Sequence, residues 1–161
     1  MKTLHHKGTT LYCFYDFEVS PASYDFFAFL YAAETCRIRR NLKNIEMILV
    51  KGPVLNFRGD STRSIEVSEN FLLNVIIPGL SILPSIESYL WVSRDSFDIS
   101  DINKVNIYPR GYKLKKPTAE YTLRELAAAK VRGDKPGFFR APNFAKNLAQ
   151  DFINTEIEGG S

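Results

Sequence analysis

A strand that runs through a turn into a helix is the strongest pattern in this chain. Residues Leu11–Phe17 are aromatic and β-favouring, as in a largely buried strand. Ser20 and Pro21 then match an N-cap followed by proline at the first helical position, where its missing N–H costs nothing. A second apolar strand follows at Ile45–Val50. Strand, helix and strand in succession predict a βαβ unit with a right-handed crossover and hence a parallel sheet.

The rest of the chain continues this alternation. We expect the first helix to run from Pro21 to about Asn41, and a long apolar helix to run from Ser64 or Ser68 to Leu83, kinked or divided at Pro78-Gly79. The remaining expected elements are the strands Ile86–Val92 and Val105–Tyr108, a helix from about Thr118 to Arg132 and a last helix from near Pro142. Together they predict a three-layer α/β/α, Rossmann-like domain with a mostly parallel sheet of at least four strands.

The predicted domain spans residues 10–155. Residues 1–9 form a polar lead-in that we expect to be flexible, and residues 156–161, which end in Gly-Gly-Ser, suit a tail or an interdomain linker. The N-terminus has no apolar signal region, and no stretch approaches the ~20 apolar residues of a transmembrane helix. We therefore expect a cytoplasmic protein without a transmembrane span, and leave a peripheral membrane contact open.

Composition argues against several classes of partner. The net charge is +3, and the 21 Lys and Arg residues are scattered rather than striped, so nucleic acid is not expected as a partner. Cys13 and Cys36 fall in a predicted strand and helix, where cysteines are usually small buried hydrophobes. Both histidines lie near the N-terminus, so they supply no metal-ligand set. We expect neither a metal nor a cofactor.

The first strand-to-helix turn carries two carboxylates, Asp16 and Glu18, and no glycine. Neither G-x-G-x-x-G nor the P-loop pattern occurs there, and carboxylates repel phosphate, which argues against a dinucleotide or ATP. Paired carboxylates can transfer protons or hold sugar hydroxyls, so both are candidate catalytic residues. Their other interpretation is that they complement a helix N-terminus. Ser20 and Ser23 are candidate substrate contacts, although no histidine is predicted nearby and capping suits them better than nucleophilic attack.

Four arginines follow the predicted strands and could contact an anionic group. Arg58 and Arg63 belong to the polar loop after the second strand, Arg94 follows the third strand, and Arg110 follows the fourth. Carboxyl ends of parallel strands form the ligand-binding crevice of α/β sheets, so these side chains are candidate substrate contacts. Each could equally be a solvated loop residue.

A separate basic run, Arg37, Arg39, Arg40 and Lys43, falls in the last turns of the first helix. Cations complement the partial negative charge of a helix C-terminus, and we favour that interpretation over a phosphate-binding patch.

The order of several segments resembles one protein family. The segments are Asp-Phe-Glu-Val-Ser-Pro-Ala-Ser-Tyr-Asp-Phe from Asp16, Lys51-Gly-Pro53 with the Arg58 loop, Asn74–Ser85 and Asn106–Tyr112. Together they resemble the N-terminal half of GT-B-like glycosyltransferase homologues from bacterial surface-carbohydrate gene clusters, over roughly residues 10–155. The resemblance implies an acceptor-side half-domain that acts in surface-polysaccharide biosynthesis, with a sugar or other hydroxylated acceptor. The donor would bind to a second domain or subunit. The alternative is a non-catalytic Rossmann-like binding or assembly module.

Overall fold

The computed structural model describes residues 8–59, 64–100, 102, 106–118 and 122–158, with side chains through residue 150. The strands are β1 (Thr10–Asp16), β2 (Asn44–Val50), β3 (Ile86–Val92) and β4 (Ile107–Tyr108). The helices are α1 (Asp25–Arg39), α2 (Ile65–Phe71), α3 (Ile77–Gly79), α4 (Thr122–Val131) and α5 (Asn143–Glu158). The predicted lead-in at residues 1–7, Val105, and Gly159-Gly160-Ser161 lie outside the described residues.

The strands form one parallel sheet in the order β3-β2-β1-β4. β1 pairs with β2 along its whole length, from Thr10↔Asn44 to Asp16↔Val50, whereas β4 pairs with only Tyr12 and Cys13. The predicted α/β class and the four-stranded parallel sheet are confirmed. At the other edge β3 has no partner on its outer side among the described residues, and its Tyr89 is exposed.

The two faces of the sheet are covered differently. One face of β1 packs its side chains Leu11, Cys13 and Tyr15 with α1 and with the helical stretch before β3. The opposite face, with Tyr12 and Phe14, is covered by the connection from β3 to β4, which supplies Ile102, and by the segment after β4, which supplies Tyr112 and Leu114. Right-handed crossovers explain this, because β1, β2 and β3 follow one another in one direction and the chain then reverses to β4. The reversal makes the carboxyl ends of β1 and β4 a topological switch point, where α/β sheets bind ligands.

The start of α1 differs from the prediction. The helix begins at Asp25, not at Pro21, so the N-cap assigned to Ser20 and the first helical position assigned to Pro21 are wrong. The Asp16 carbonyl accepts hydrogen bonds from the backbone N–H of Val19 (3.2 Å) and of Ser20 (2.8 Å). These bonds wind the chain into a turn at the end of β1 and delay the helix. α1 ends where Asn41 takes a left-handed conformation, with φ of 53°.

The apolar helical stretch is continuous but changes its winding. Ser64 caps α2, because its Oγ accepts from the Val67 N–H at 3.3 Å. A π-helical turn, Leu72–Ile76, precedes Pro78, and a 3₁₀ turn, Leu80–Ile82, follows α3. Because proline has no N–H for the helical ladder, the change of winding beside it is the expected accommodation.

The same stretch bears on a membrane span. By length and composition alone, Ile65–Ile82 could cross a membrane, with 18 residues and a mean hydropathy of 1.3. A core helix can have the same length and composition, and Ile76 and Leu80 pack in the core, although only 22% of the segment is buried. The described residues therefore contain no clear transmembrane span.

A tight hairpin after β2 places the Arg58 loop. The N–H groups of Val54 and Phe57 each donate to the other residue's carbonyl at 2.9 Å. The two residues between them have positive φ, 45° at Leu55 and 77° at Asn56, as in a type I′ turn. Gly52 permits the close approach, because a Cβ there would lie 2.4 Å from the Phe57 carbonyl carbon. The chain is thereby directed back toward the end of β1.

Candidate functional site

Asp16, the last residue of β1, lies at the centre of a buried polar network and is 2% exposed. Its Oδ1 accepts hydrogen bonds from Arg94 Nη2 at 2.8 Å and from the Glu18 backbone N–H at 3.0 Å. Its Oδ2 accepts from the Tyr112 hydroxyl at 2.5 Å and from Arg94 Nη2 at 3.0 Å. Arg94 also donates to the Leu114 carbonyl. The network thus joins the end of β1 to the segments that follow β3 and β4.

Burial sets the electrostatics of this network. It raises the pKa of Tyr112 far above its ordinary value, and the hydrogen bond to Asp16 raises it further, so Tyr112 stays a hydroxyl donor. Burial opposes the charge on Arg94, but its contacts with Asp16 and Glu18 outweigh that effect and leave its pKa above the ordinary value. Both oxygens of Asp16 are occupied by donors from the protein. Asp16 therefore holds three segments in place, and a ligand finds no unused oxygen on it.

Glu18 occupies the outer side of the same network. Its Oε2 lies 2.8 Å from Arg94 Nη2, and its side chain is 40% exposed where that of Asp16 is 2%. Arg94 thus bridges an inner carboxylate and an outer one. Of the two predicted catalytic residues, only Glu18 can meet a group that enters from solvent.

A cavity of about 640 Å³ opens beside this turn. Its size is typical of small-molecule sites. Its walls are mostly apolar, and its polar and charged members besides Tyr15 are Ser20, Asp25, Arg58, Thr122 and Arg124. The lining comes from the end of β1, the turn, the start of α1, the Arg58 loop and α4: Tyr15, Val19, Ser20, Pro21, Asp25, Ala28, Phe29, Arg58, Thr122, Leu123 and Arg124.

Tyr15 forms part of the wall and is itself fully engaged. Its hydroxyl donates to the Pro21 carbonyl at 2.7 Å, which ties the turn to the core. Burial raises the pKa of Tyr15 well above its ordinary value, and the charge of Asp25 adds to the shift. Tyr15 therefore shapes the cavity as a neutral side chain.

The structure brings together only some of the predicted site residues. Asp16, Glu18 and Arg94 form the network, and Ser20 and Arg58 line the cavity. Ser23 is buried and serves the helix start, donating to Asp25 Oδ2 at 2.9 Å and accepting from the Asp25 N–H at 3.2 Å. Arg110 lines a different cavity, and Arg63 lies outside the described residues.

Sequence reasoning missed Tyr112, Asp25 and Arg124. Asp25 could have been found, because the first turn of a helix after a strand lies next to the crevice. Tyr112 contacts Asp16 across 96 positions of sequence, and no local pattern marks such a contact.

Comparison with known protein families, with curated proteins and with solved structures found no significant match. Among the described residues, no three or more His, Cys, Asp or Glu side chains are grouped as a metal site would require.

Proposed function

We propose that this chain is the acceptor-side half of a glycosyltransferase-like protein of surface-polysaccharide biosynthesis, and that it binds a sugar or another hydroxylated acceptor. The observation that carries the proposal is the cavity of about 640 Å³ beside the end of β1, next to the topological switch point. The resemblance of the segments around Asp16, Arg58, Asn74 and Asn106 to GT-B-like homologues supports the same assignment.

The chemistry of the cavity suits hydroxyl groups. Asp25 and Ser20 can accept hydrogen bonds from hydroxyls, and Arg58 and Arg124 can donate to them or to an acidic substituent. The turn beside it has no glycine and carries carboxylates, which disfavours a pyrophosphate in the same place.

Within this proposal Glu18, which belongs to the turn beside the cavity but not to its lining, is the residue that acts on the acceptor. Arg94 holds its carboxylate, and its exposure lets it contact a hydroxyl. As the hydroxyl oxygen bonds to the anomeric carbon of a donor, the bond from that carbon to its leaving group breaks and the proton passes to Glu18. Asp16 and Tyr112 position Arg94. The donor would be held by a second domain or subunit. The proposal places the protein in the cytoplasm.

The proposal can be tested by saturation-transfer NMR on the full chain with glucose, galactose, N-acetylglucosamine and their disaccharides. We expect transfer to at least one saccharide and a weaker signal for Arg58→Gln and Ser20→Ala. Arg140→Gln, outside the cavity, is the matched control. No transfer to any saccharide, or equal loss in the Arg140 control, would refute acceptor binding at this cavity.

A non-catalytic assembly module is the second candidate, favoured by apolar exposure along the helical stretch before β3. Val67 is 47% exposed and Leu73 is 65% exposed. Such side chains can mark a protein–protein interface. Light scattering decides: a dimer that Leu73→Lys dissociates, without saccharide binding, supports assembly, and a monomer excludes self-assembly.

A further inference from the structure

A second cavity, of about 230 Å³, lies between α1, the segment after β4 and α4. It shares no lining residue with the cavity beside the end of β1. Four arginines line it, one of which, Arg110, was predicted as a substrate contact. The complete lining is Ala32, Thr35, Cys36, Arg39, Arg40, Tyr108, Arg110, Glu125, Leu126, Ala129, Arg132 and Asp134.

The basic run at the end of α1 divides into two parts. Arg37 is occupied elsewhere, because its guanidinium binds Glu34 at 2.7 Å and donates to the Leu42 carbonyl at 2.6 Å. Arg39 and Arg40 line the cavity instead. Arg37 is therefore engaged at the end of α1, and of the basic run Arg39 and Arg40 line the cavity.

The cavity carries excess positive charge. Its four guanidiniums face two carboxylates, Glu125 and Asp134. Asp134 lies 2.9 Å from Arg132 and 4.0 Å from Arg39, so a single carboxylate is shared by two arginines. The C-termini of α1 and α4 each add about half a negative charge, and the charges of the residues that line the cavity still sum to a positive value.

Arg110 does not lie at the end of a helix, so its position is not explained by the partial negative charge of a helix C-terminus. It comes from the segment after β4, is exposed, and forms no hydrogen bond or ion pair with any residue that the structure describes. Arg40, another lining residue, is held in place by β4, because its Nη1 donates to the Ile107 carbonyl at 3.2 Å. Guanidinium groups from three segments thus converge on one small concave space.

We propose that this cavity binds a phosphate group, either free phosphate or the phosphate of a phosphorylated molecule. Planar guanidinium groups match phosphate oxygens, and a cavity of about 230 Å³ holds an anion of that size. Arg110 and Arg39 are the principal donors, and Arg40 and Arg132 complete the positive wall. The inference does not rest on the proposed function.

Isothermal titration of the full chain with inorganic phosphate, pyrophosphate and glucose 1-phosphate tests this. We expect binding that Arg110→Gln weakens about tenfold, the usual effect of losing a charge-assisted contact. Glu125→Gln should tighten binding, because it removes an opposing charge from an exposed position. Stronger binding of glucose 1-phosphate than of phosphate, lost in Arg110→Gln, would identify a phosphorylated molecule as the ligand of this cavity, and equal binding would identify the free anion.

Two control variants locate the site. Arg140→Gln lies in neither cavity, and Arg124→Gln lies in the one beside β1. Both should leave phosphate affinity unchanged. The proposal is overturned if phosphate, pyrophosphate and glucose 1-phosphate all fail to bind at millimolar concentration, or if Arg124→Gln weakens binding while Arg110→Gln does not.

Discussion

At the scale of single residues, Asp16 combines full burial with a full set of donors. Asp16→Asn leaves the partly buried Arg94 without its inner carboxylate and should lower the free energy of unfolding by about 2–4 kcal/mol. Glu18→Gln removes the exposed partner and should cost about 1 kcal/mol or less. Urea unfolding measures both. An Asp16→Asn protein with unchanged stability and lost saccharide binding would contradict the positioning role and would indicate that Asp16 contacts the ligand.

Leu55 has a strained backbone conformation, and its exposed side chain adds little to the packing of the core. Its φ is 45° and it is 65% exposed, so a branched side chain is held in a left-handed conformation without burial in return. Leu55→Asn should raise the free energy of unfolding by about 1 kcal/mol, because asparagine tolerates this conformation. Thermal unfolding provides the measurement. Asn56→Val, next in the turn, should have the opposite sign, and a stabilising Asn56→Val would contradict the turn geometry.

At the scale of elements, Glu34 joins α1 to the start of β3. Burial opposes its ionisation, but hydrogen bonds from Arg37 and from the Ser85 hydroxyl, each at 2.7 Å, outweigh this and leave the pKa of Glu34 below its ordinary value. A lowered folded-state pKa stabilises the protein above the unfolded-state pKa, and that contribution is lost as the pH falls through the folded value.

The free energy of unfolding should therefore fall as the pH drops below about 4.3, the ordinary pKa of glutamate. Glu34→Gln should be less stable than the native chain at neutral pH and should lose less stability on acidification. Urea unfolding across this pH range checks both statements. Equal acid sensitivity in the two proteins would exclude Glu34 as a source of acid lability.

At the scale of the whole molecule, stability should decrease from the centre of the sheet to its edges. β1 is buried along its full length, whereas β3 has three exposed residues and β4 pairs over only two. Amide hydrogen exchange should be slowest in β1 and β2 and faster in β3. Greater protection in β3 than in β1 would indicate that its outer edge is covered in solution.

The architecture was predictable because strands that are buried on both faces are continuous apolar runs in the sequence. Leu11–Phe17, Ile45–Val50 and Ile86–Val92 were placed within a residue or so of β1, β2 and β3. The predicted start of α1 was wrong because Ser20-Pro21 is only a local signal. The hydrogen bonds from Val19 and Ser20 to the Asp16 carbonyl form a turn there instead. Boundaries are the weakest part of such reasoning.

The candidate site was predictable only as a location. Ser20, Glu18 and Arg94 follow strands, and strand ends meet in parallel sheets. Whether a carboxylate at a strand end is exposed, or has all its oxygens occupied by hydrogen-bond donors, depends on segments that are distant in the sequence. Arg94 reaches Asp16 across 78 positions, so the sequence around Asp16 contains nothing that separates its role from that of Glu18.

Among the residues that the structure describes, the outer side of β3 has no strand partner, and the sheet can be extended there. An unpaired strand presents a row of backbone donors and acceptors that can template a strand from another chain, the usual origin of edge-to-edge aggregation. Two features guard its first half: the register irregularity beside Ile86, and the Glu87 carboxylate that the Asn44 amide holds at 2.8 Å. Beyond them the exposed Tyr89 carries no charge, so self-association of concentrated protein would begin there.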